Sequence, residues 1–162
     1  MGENHPQTAL PALDTLSQSG NLGYRAMARF AEADALFAKH DTKGAAAKLA
    51  AISADTAVPR PFRDRATIQQ TAIEFDAIKP DQVVSRLKDL AIPDSPWFGT
   101  AGEMVAAAYL KAGKRDLAGK MYGQLAQSKG FVPDSIRQRA VQMAGVLGVD
   151  AIDQSEERRL NE

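Results

Sequence analysis

Apolar residues recur at intervals of three or four along most of this chain, which is the spacing of one face of an α-helix. Four segments carry the same i, i+4, i+7 set, and the sets begin 36, 38 and 35 residues apart. Valine and isoleucine do not form alternating runs, so the pattern predicts helices and no strands. The sets are Ala9/Leu13/Leu16, Ala45/Leu49/Ile52, Val83/Leu87/Leu90 and Ala118/Tyr122/Leu125.

A further helical pattern precedes each of the last three sets, and another follows the last one. The chain is therefore predicted to form antiparallel helix pairs with a period of about 34 to 38 residues. The apolar positions of these additional helices are Phe30/Ala33/Phe37, Ile68/Ala72/Phe75, Val105/Ala106/Tyr109 and Ile136/Ala140/Met143/Leu147.

The turn inside each pair is marked most clearly in the third pair. Gly113 is predicted to end its helix in the left-handed conformation that glycine adopts without strain. His40 and Lys79 stand near the equivalent points of the two earlier pairs. In those pairs the last aromatic residue lies eight positions before the next set, against nine in the third pair. We therefore expect the first two turns to be one residue shorter.

Polar and proline residues mark where two of the helices begin. Asp94–Ser95 and Asp134–Ser135 are candidate N-caps, and Pro96 suits the first turn of the helix that follows. Trp97 and Phe98 begin that helix and are candidate aromatic contacts for a bound peptide. The alternative is that the tryptophan packs as a wedge against the preceding unit.

The helix pairs resemble tetratricopeptide repeats, in which small residues lie where two helices cross and larger residues fill the space between them. Ala106 and Ala118 match the crossing positions, and Tyr109 and Tyr122 match the larger ones. The resemblance implies an all-α fold, arranged as a right-handed superhelix of about seven helices with room for a short C-terminal one.

Four segments together resemble a more specific family. In order they are GYRAMARFAEADAL, FRDRATIQQ, PWFGTAGEMVAAAYLKAGK and PDSIRQRAVQMAGVLG, at residues 23–36, 62–70, 96–114 and 133–148. They are similar to the tetratricopeptide-like domain of the ancillary Sec translocon subunit (YfgM-type) family, in its alphaproteobacterial form. The resemblance covers nearly the whole chain.

Membership of that family would imply a protein with one N-terminal transmembrane helix and its repeat domain on the periplasmic side of the bacterial inner membrane. The implied partners are the Sec translocon and periplasmic chaperones, and the family has no catalytic motif. Residues 6–19 match the second helix of a repeat whose first helix is missing. We therefore expect a longer native protein with its anchor upstream; the alternative is that helix 6–19 itself caps the array.

These patterns divide the chain into three parts. Residues 1–5 are expected to be disordered or cloning-derived, and residues 6–148 to form the helical repeat domain. Residues 149–162 are polar and charged, and are expected to form either a short cap helix or a tail.

The composition argues against several classes of function. Twenty Lys and Arg residues balance twenty Asp and Glu residues, without the clustered basic surface that nucleic-acid binding requires. The absence of cysteine excludes disulfides and thiol catalysis. No apolar run approaches the roughly 18 residues of a membrane span. The expected partner is a protein or peptide, and the membrane is involved only through an upstream anchor.

Candidate catalytic groups are few. His5 and His40 are the only histidines, which is too few for a zinc site of four converging ligands. Ser85 and Lys88 have a Ser-x-x-Lys spacing, but they flank the apolar Leu87 and have no accompanying motif. We therefore expect no enzyme activity, no metal and no cofactor.

The concave side of such an array is lined by the first helix of each pair, and it is the expected partner-binding groove. Its alternative role is structural, since small residues let neighbouring helices approach closely. The predicted lining is Thr100, Glu103, Ala107, Leu110 and Lys111 in the third pair, Ala66, Gln69, Ile73, Asp76 and Ala77 in the second, and Ala28, Ala31, Ala35, Ala38 and Lys39 in the first.

The sequence thus favours a non-catalytic interaction module, membrane-tethered and periplasmic by resemblance. The alternative is a generic soluble tetratricopeptide scaffold or co-chaperone.

Overall fold

The computed structural model describes residue 20 and residues 22–128 and 130–150. Over these ranges the chain forms seven α-helices and no β-strand, so the predicted all-α fold is confirmed. The predictions for residues 1–5, for helix 6–19 and for a helix beyond Asp150 lie outside the described residues. The helices are α1 (Leu22–Ala38), α2 (Thr42–Ala54), α3 (Arg60–Glu74), α4 (Pro80–Leu87), α5 (Phe98–Lys111), α6 (Arg115–Gln127) and α7 (Asp134–Val146).

The helices belong to two compact units that divide after Ala77. The first unit contains α1 to α3, and α2 packs against both of the other helices. The predicted Ala45/Leu49/Ile52 set of α2 is buried, as the helical periodicity requires. The core of this unit comprises Ala26, Phe30, Ala33, Leu49, Ile52, Val58 and Ala66, with Phe62 and Ile73 packed against them.

The second unit contains α4 to α7. Here α6 packs against both α5 and α7, while α4 packs against α5. An ion pair of 2.8 Å between Lys114 and Asp81 joins the α5–α6 turn to the first turn of α4. The core comprises Phe98, Ala106, Tyr122, Leu125, Ala126, Val132, Ala140 and Ala144.

The α1–α2 and α5–α6 turns share one backbone conformation. Each turn has three residues, and its middle residue is left-handed, with φ of 61° at His40 and 72° at Gly113. In each turn the amide of the next residue donates to a carbonyl oxygen five residues earlier, at 3.0 Å and 2.9 Å. This Schellman arrangement satisfies carbonyls at the end of the helix. The left-handed prediction for Gly113 is confirmed, and the prediction of a shorter first turn is wrong.

The common turn establishes which residues of the two pairs are equivalent, at a spacing of 73 positions. Leu36 rather than Phe37 is equivalent to Tyr109, and the Phe37 side chain lies half exposed instead of in the core. The α3–α4 turn spans residues 75–79, so it is longer than predicted. Ala72, predicted to be buried, is exposed, and the buried residues of α3 are Ala66, Ile68 and Thr71.

Both α3 and α7 are preceded by a Val-Pro step. Val58 and Val132 are buried, and the prolines that follow them have nearly the same conformation, with φ/ψ of −55°/141° at Pro59 and −56°/145° at Pro133. This step aligns α3 with α7 at a spacing of 74 positions. The internal repeat therefore extends over three helices, α1 to α3 and α5 to α7.

The helix starts differ from the predicted caps. Pro133 is the N-cap of α7, so Asp134 is already its first helical residue. Proline suits this position because its φ is helical and it has no amide hydrogen to satisfy. Pro96 lies in a turn before α5, whose N-cap is Trp97, and the Trp97 amide donates to Ser95 Oγ at 3.1 Å.

Two glycines let the segment that follows α7 approach α6. A methyl group added at Gly119 would lie 2.9 Å from Val149 Cγ2, and one at Gly123 would lie 3.2 Å from Val149 Cγ1. The chain reaches this position through a third left-handed turn, with φ of 78° at Gly148. Small residues thus allow close helix packing here, as they do at the buried Ala118.

The shared turn predicts opposite effects for two substitutions. His40→Gly should raise the free energy of unfolding by about 0.5–1 kcal/mol, because it relieves a left-handed non-glycine residue. Gly113→Ala should lower it by about 1 kcal/mol, and the cost is purely conformational because no atom lies within 4 Å of the added methyl group. Urea unfolding measures both. A stability loss in His40→Gly would show that the imidazole, rather than the backbone, stabilises this turn.

Candidate functional site

The common turn changes which residues α1 presents on the face predicted to bind a partner. The turn shifts the equivalence between α1 and α5 by one position from the one used to predict the alanine lining, and Ala28, which belonged to that lining, is buried. On α5 the face carries Thr100, Glu103, Ala107, Leu110 and Lys111. The equivalent residues of α1 are Met27, Asp34, Phe37 and Ala38, which are exposed, and Phe30, which is buried in the core. This side of α1 is therefore rich in large apolar side chains instead of alanine.

Three of the large side chains on α1 are open to solvent. Tyr24 is 63% exposed, and Met27 and Phe37 are each 51% exposed. Asp34 is exposed and Ala31 partly exposed between them. Spacings of three and four residues place all five on one side of the helix. We call Tyr24, Met27, Ala31, Asp34 and Phe37 the α1 stripe.

Arginines of α3 and α7 contact equivalent points of α1 and α5, respectively. Arg65 of α3 places its guanidinium 4.6 Å from the centre of the Phe30 ring. Arg139 of α7 donates two hydrogen bonds to Glu103, at 2.8 Å and 2.9 Å. Each member of one pair is equivalent to a member of the other. The fold thus repeats a contact while its chemistry changes from a cation–π interaction to an ion pair.

The Glu103–Arg139 pair occupies the centre of the predicted site in the second unit. It raises the pKa of Arg139, through hydrogen bonding first and charge second. Burial raises the pKa of the neighbouring Tyr122, and the Glu103 carboxylate raises it further. Leu110 packs against the core, while Thr100 and Lys111 are exposed near the two ends of this face. The central charges of this face therefore bind each other.

Gln69 and Asp76, two of the groove residues predicted in the second pair, do not share a helical face. Asp76 follows the end of α3, whereas Gln69 lies within it. Gln69 Oε1 is buried and accepts no hydrogen bond from any residue in the described part of the chain. The equivalent residue in α7, Met143, packs against the core of its unit. The predicted groove residue Ala66 is fully buried.

The two candidate aromatic contacts have different environments. Phe98 is completely buried in the core of the second unit, so its side chain is not part of a surface. Trp97 is partly exposed at the start of α5, and its contact with a partner stays a prediction.

A polar network in the first unit stands where the second unit has apolar packing. Arg25 and Arg29 both bind Asp55 Oδ2, at 3.2 Å and 2.9 Å, beside the end of α2. The Arg29 hydrogen bond is the largest cause of a lowered Asp55 pKa, followed by the bond from the Ala57 amide. The positions equivalent to Arg25 and Arg29 are Phe98 and Gly102, which contact each other.

A second ion pair joins α1 to α2. Lys48 Nζ lies 2.6 Å from Glu32 Oε2, and Glu32 is only 7% exposed. The equivalent residues in the second unit are Val105 and Met121, which are apolar. A buried carboxylate requires such a partner, because an unpaired charge in the interior is costly.

The remaining candidate groups do not assemble into a site of known chemistry. Within the described ranges no three or more His, Cys, Asp or Glu side chains converge as metal ligands. Ser85 and Lys88 are exposed on either side of the buried Leu87, as expected for two solvated polar residues. None of the seven helices is long and apolar enough to cross a membrane.

Comparison with known proteins identified no similar protein or structure. A scan against protein-family models, a search of curated proteins and a search of solved structures each found no match. The similarity to the YfgM-type family therefore rests on its four sequence segments.

Replacing Gln69 by the residue at its equivalent position should stabilise the first unit. Gln69→Met removes a buried acceptor without a partner, an arrangement that costs about 1–3 kcal/mol. We expect the free energy of unfolding to rise by about 1 kcal/mol in a urea titration. The matched control is Gln70→Met, because Gln70 Nε2 donates to Glu74 Oε2 at 3.1 Å and its replacement should give no gain. Equal effects of the two substitutions would contradict this account of Gln69.

The Asp55 network should make stability depend on acid pH. Because its pKa is lowered on folding, ionised Asp55 stabilises the fold above its ordinary pKa of 3.8, and this contribution disappears as the pH falls through the folded value. Asp55→Asn should therefore lower Tm at pH 7, and the difference from wild type should shrink below pH 3.8.

Calorimetry of matched variants tests the cause of this pH dependence. Arg29→Gln removes the main partner of Asp55, so it should reproduce much of the loss at pH 7, and the double variant should be less than additive. A Tm difference that stays constant with pH, or full additivity, would exclude the ion pairs as the cause.

Proposed function

We propose that this chain is a non-catalytic protein–protein interaction domain built as a right-handed, tetratricopeptide-like superhelix. The repeated three-helix segment supports the repeat assignment, since the same turn, Val-Pro step and arginine contact recur at a spacing of 73 to 74 residues. Repeat proteins of this class bind partners along extended surfaces formed by equivalent helices.

The α1 stripe is the observation that carries the interaction proposal. Single exposed apolar residues are ordinary on protein surfaces, but three large ones follow one side of this helix. Three residues of the stripe, Met27, Asp34 and Phe37, are equivalent to residues of the predicted groove of the third pair. Binding would bury these apolar side chains, while charged groups at the edge would contribute selectivity.

We further propose that the native protein is anchored in the bacterial inner membrane and acts on the periplasmic side, beside the Sec translocon and periplasmic chaperones. Support comes from the four segments that resemble the YfgM-type family. The balanced composition and the absence of cysteine are compatible with an extracytoplasmic domain that has no disulfide.

The localisation is tested with the native gene expressed from its own start codon. Membrane fractionation with a topology reporter should recover the protein with the inner membrane and report the repeat domain from the periplasm. A photo-crosslinker at Met27 should then capture a translocon subunit or a chaperone, and one at the exposed Val146 of α7 should capture much less.

Two other results would redirect the assignment. A soluble cytoplasmic protein would remove the Sec-accessory role and leave a generic scaffold or co-chaperone. Equal crosslinking from Met27 and Val146 would contradict the proposal that the α1 stripe is the contact surface, in whichever compartment the protein is found.

A further inference from the structure

We propose that the α1 stripe binds an apolar peptide segment that carries one lysine or arginine among its apolar side chains. The inference rests on the proposed interaction function and specifies the chemistry of the partner. From Tyr24 to Phe37 the stripe is about 20 Å long, given a rise of about 1.5 Å per residue. A helix of similar length can lay its own apolar side along it.

The centre of the stripe combines a small residue with an acid. Ala31 is partly exposed between Met27 and Asp34, and its short side chain leaves room for an incoming one. Asp34 is exposed and makes no hydrogen bond or ion pair with any residue that the structure describes. The acid is therefore available to a partner at the middle of an otherwise apolar surface.

The charge of Asp34 determines which partner fits. A segment that covers Met27 and Phe37 also removes water from the carboxylate between them, and a desolvated carboxylate without a cation is unfavourable. A lysine or arginine on the segment supplies that cation, whereas a glutamate on the segment would repel the Asp34 carboxylate. The second unit lacks this feature, because the position equivalent to Asp34 is Ala107 and Glu103 is already bound by Arg139.

A second copy of this chain is a poorer occupant. Symmetric pairing places the same surface on both sides of the interface. Two stripes would then bury two Asp34 carboxylates, and the stripe itself contains no lysine or arginine to pair with them. The charge pattern therefore favours a different, basic and apolar segment.

Two synthetic peptides test the proposal. Both are helices of about 14 residues with leucines along one side and glutamines opposite, about 20 Å long. One carries a single lysine at the centre of the leucine side, and the other carries a glutamate there. Fluorescence anisotropy gives the affinities, and amide chemical shifts of the protein locate the contact. The lysine peptide should bind about fivefold more tightly, with shifts along α1.

Variants of the stripe separate the two contributions. Met27→Thr introduces the residue found at the equivalent position 100. The double variant Met27→Thr/Phe37→Ser should bind the lysine peptide about tenfold more weakly. Asp34→Lys should reverse the preference, so that the glutamate peptide binds better. Phe131→Ser is the matched control, because Phe131 is 62% exposed in the second unit and should not affect binding. Circular dichroism confirms folding, which is expected because the replaced side chains are half exposed.

Each remaining outcome overturns the proposal. Equal binding of the two peptides, or binding of neither, removes the charge-selective site. Chemical-shift changes confined to α5 and α7 would place the peptide contact in the second unit. If the amide chemical shifts of the stripe change with protein concentration in the absence of peptide, and sedimentation detects a dimer, the occupant is a second copy of this chain. These failures leave the interaction function standing if Met27 still crosslinks selectively in cells, and loss of that crosslink removes the function itself.

Discussion

The left-handed turn residue at positions 40 and 113 is the constraint on which both helix pairs depend. A three-residue Schellman turn sets the rotation of the second helix relative to the first, and one residue more or less would turn that helix by about 100°. Ala45 and Ala118 would then leave the crossing where both are fully buried. Because backbone hydrogen bonds close the turn, the geometry is kept even where histidine replaces glycine.

The same backbone supports two different interiors. In the second unit Phe98 is buried against Gly102, while in the first unit the equivalent Arg25 and Arg29 reach Asp55. Apolar burial stabilises without requiring directed partners, whereas the arginines need a carboxylate at a set distance. The repeat therefore consists of the turns and the alanines at the helix crossings. The side chains between them differ, and they are apolar in the second unit and paired charges in the first.

Periodicity was sufficient to predict the helices and the buried α2 and α6 sets, and the glycine at position 113 was sufficient to predict its left-handed conformation. It failed for the rotation of α1 and hence for its proposed binding face, because alanine fits both buried and exposed positions and so leaves the helix rotation undetermined. The length of the first turn was predicted wrongly because its left-handed residue is His40, and non-glycine residues rarely adopt positive φ. Asp41, whose side chain caps α2 by accepting from the Gly44 amide at 2.8 Å, was the local signal that locates it. The Arg65–Phe30 contact joins distant segments, which a single sequence does not reveal.

The two units distribute polarity in opposite ways, and this contrast supports our proposal that the binding surface lies on α1. The first unit buries Glu32 and exposes Met27, whereas the equivalent positions of the second unit bury Val105 and expose Thr100. Both choices in the first unit cost stability, because a buried carboxylate loses hydration and exposed apolar groups gain nothing from folding. The Lys48 ion pair offsets the first cost within the unit. Nothing in the described part of the unit offsets the second cost, which is why we propose that a partner covers the exposed side of α1.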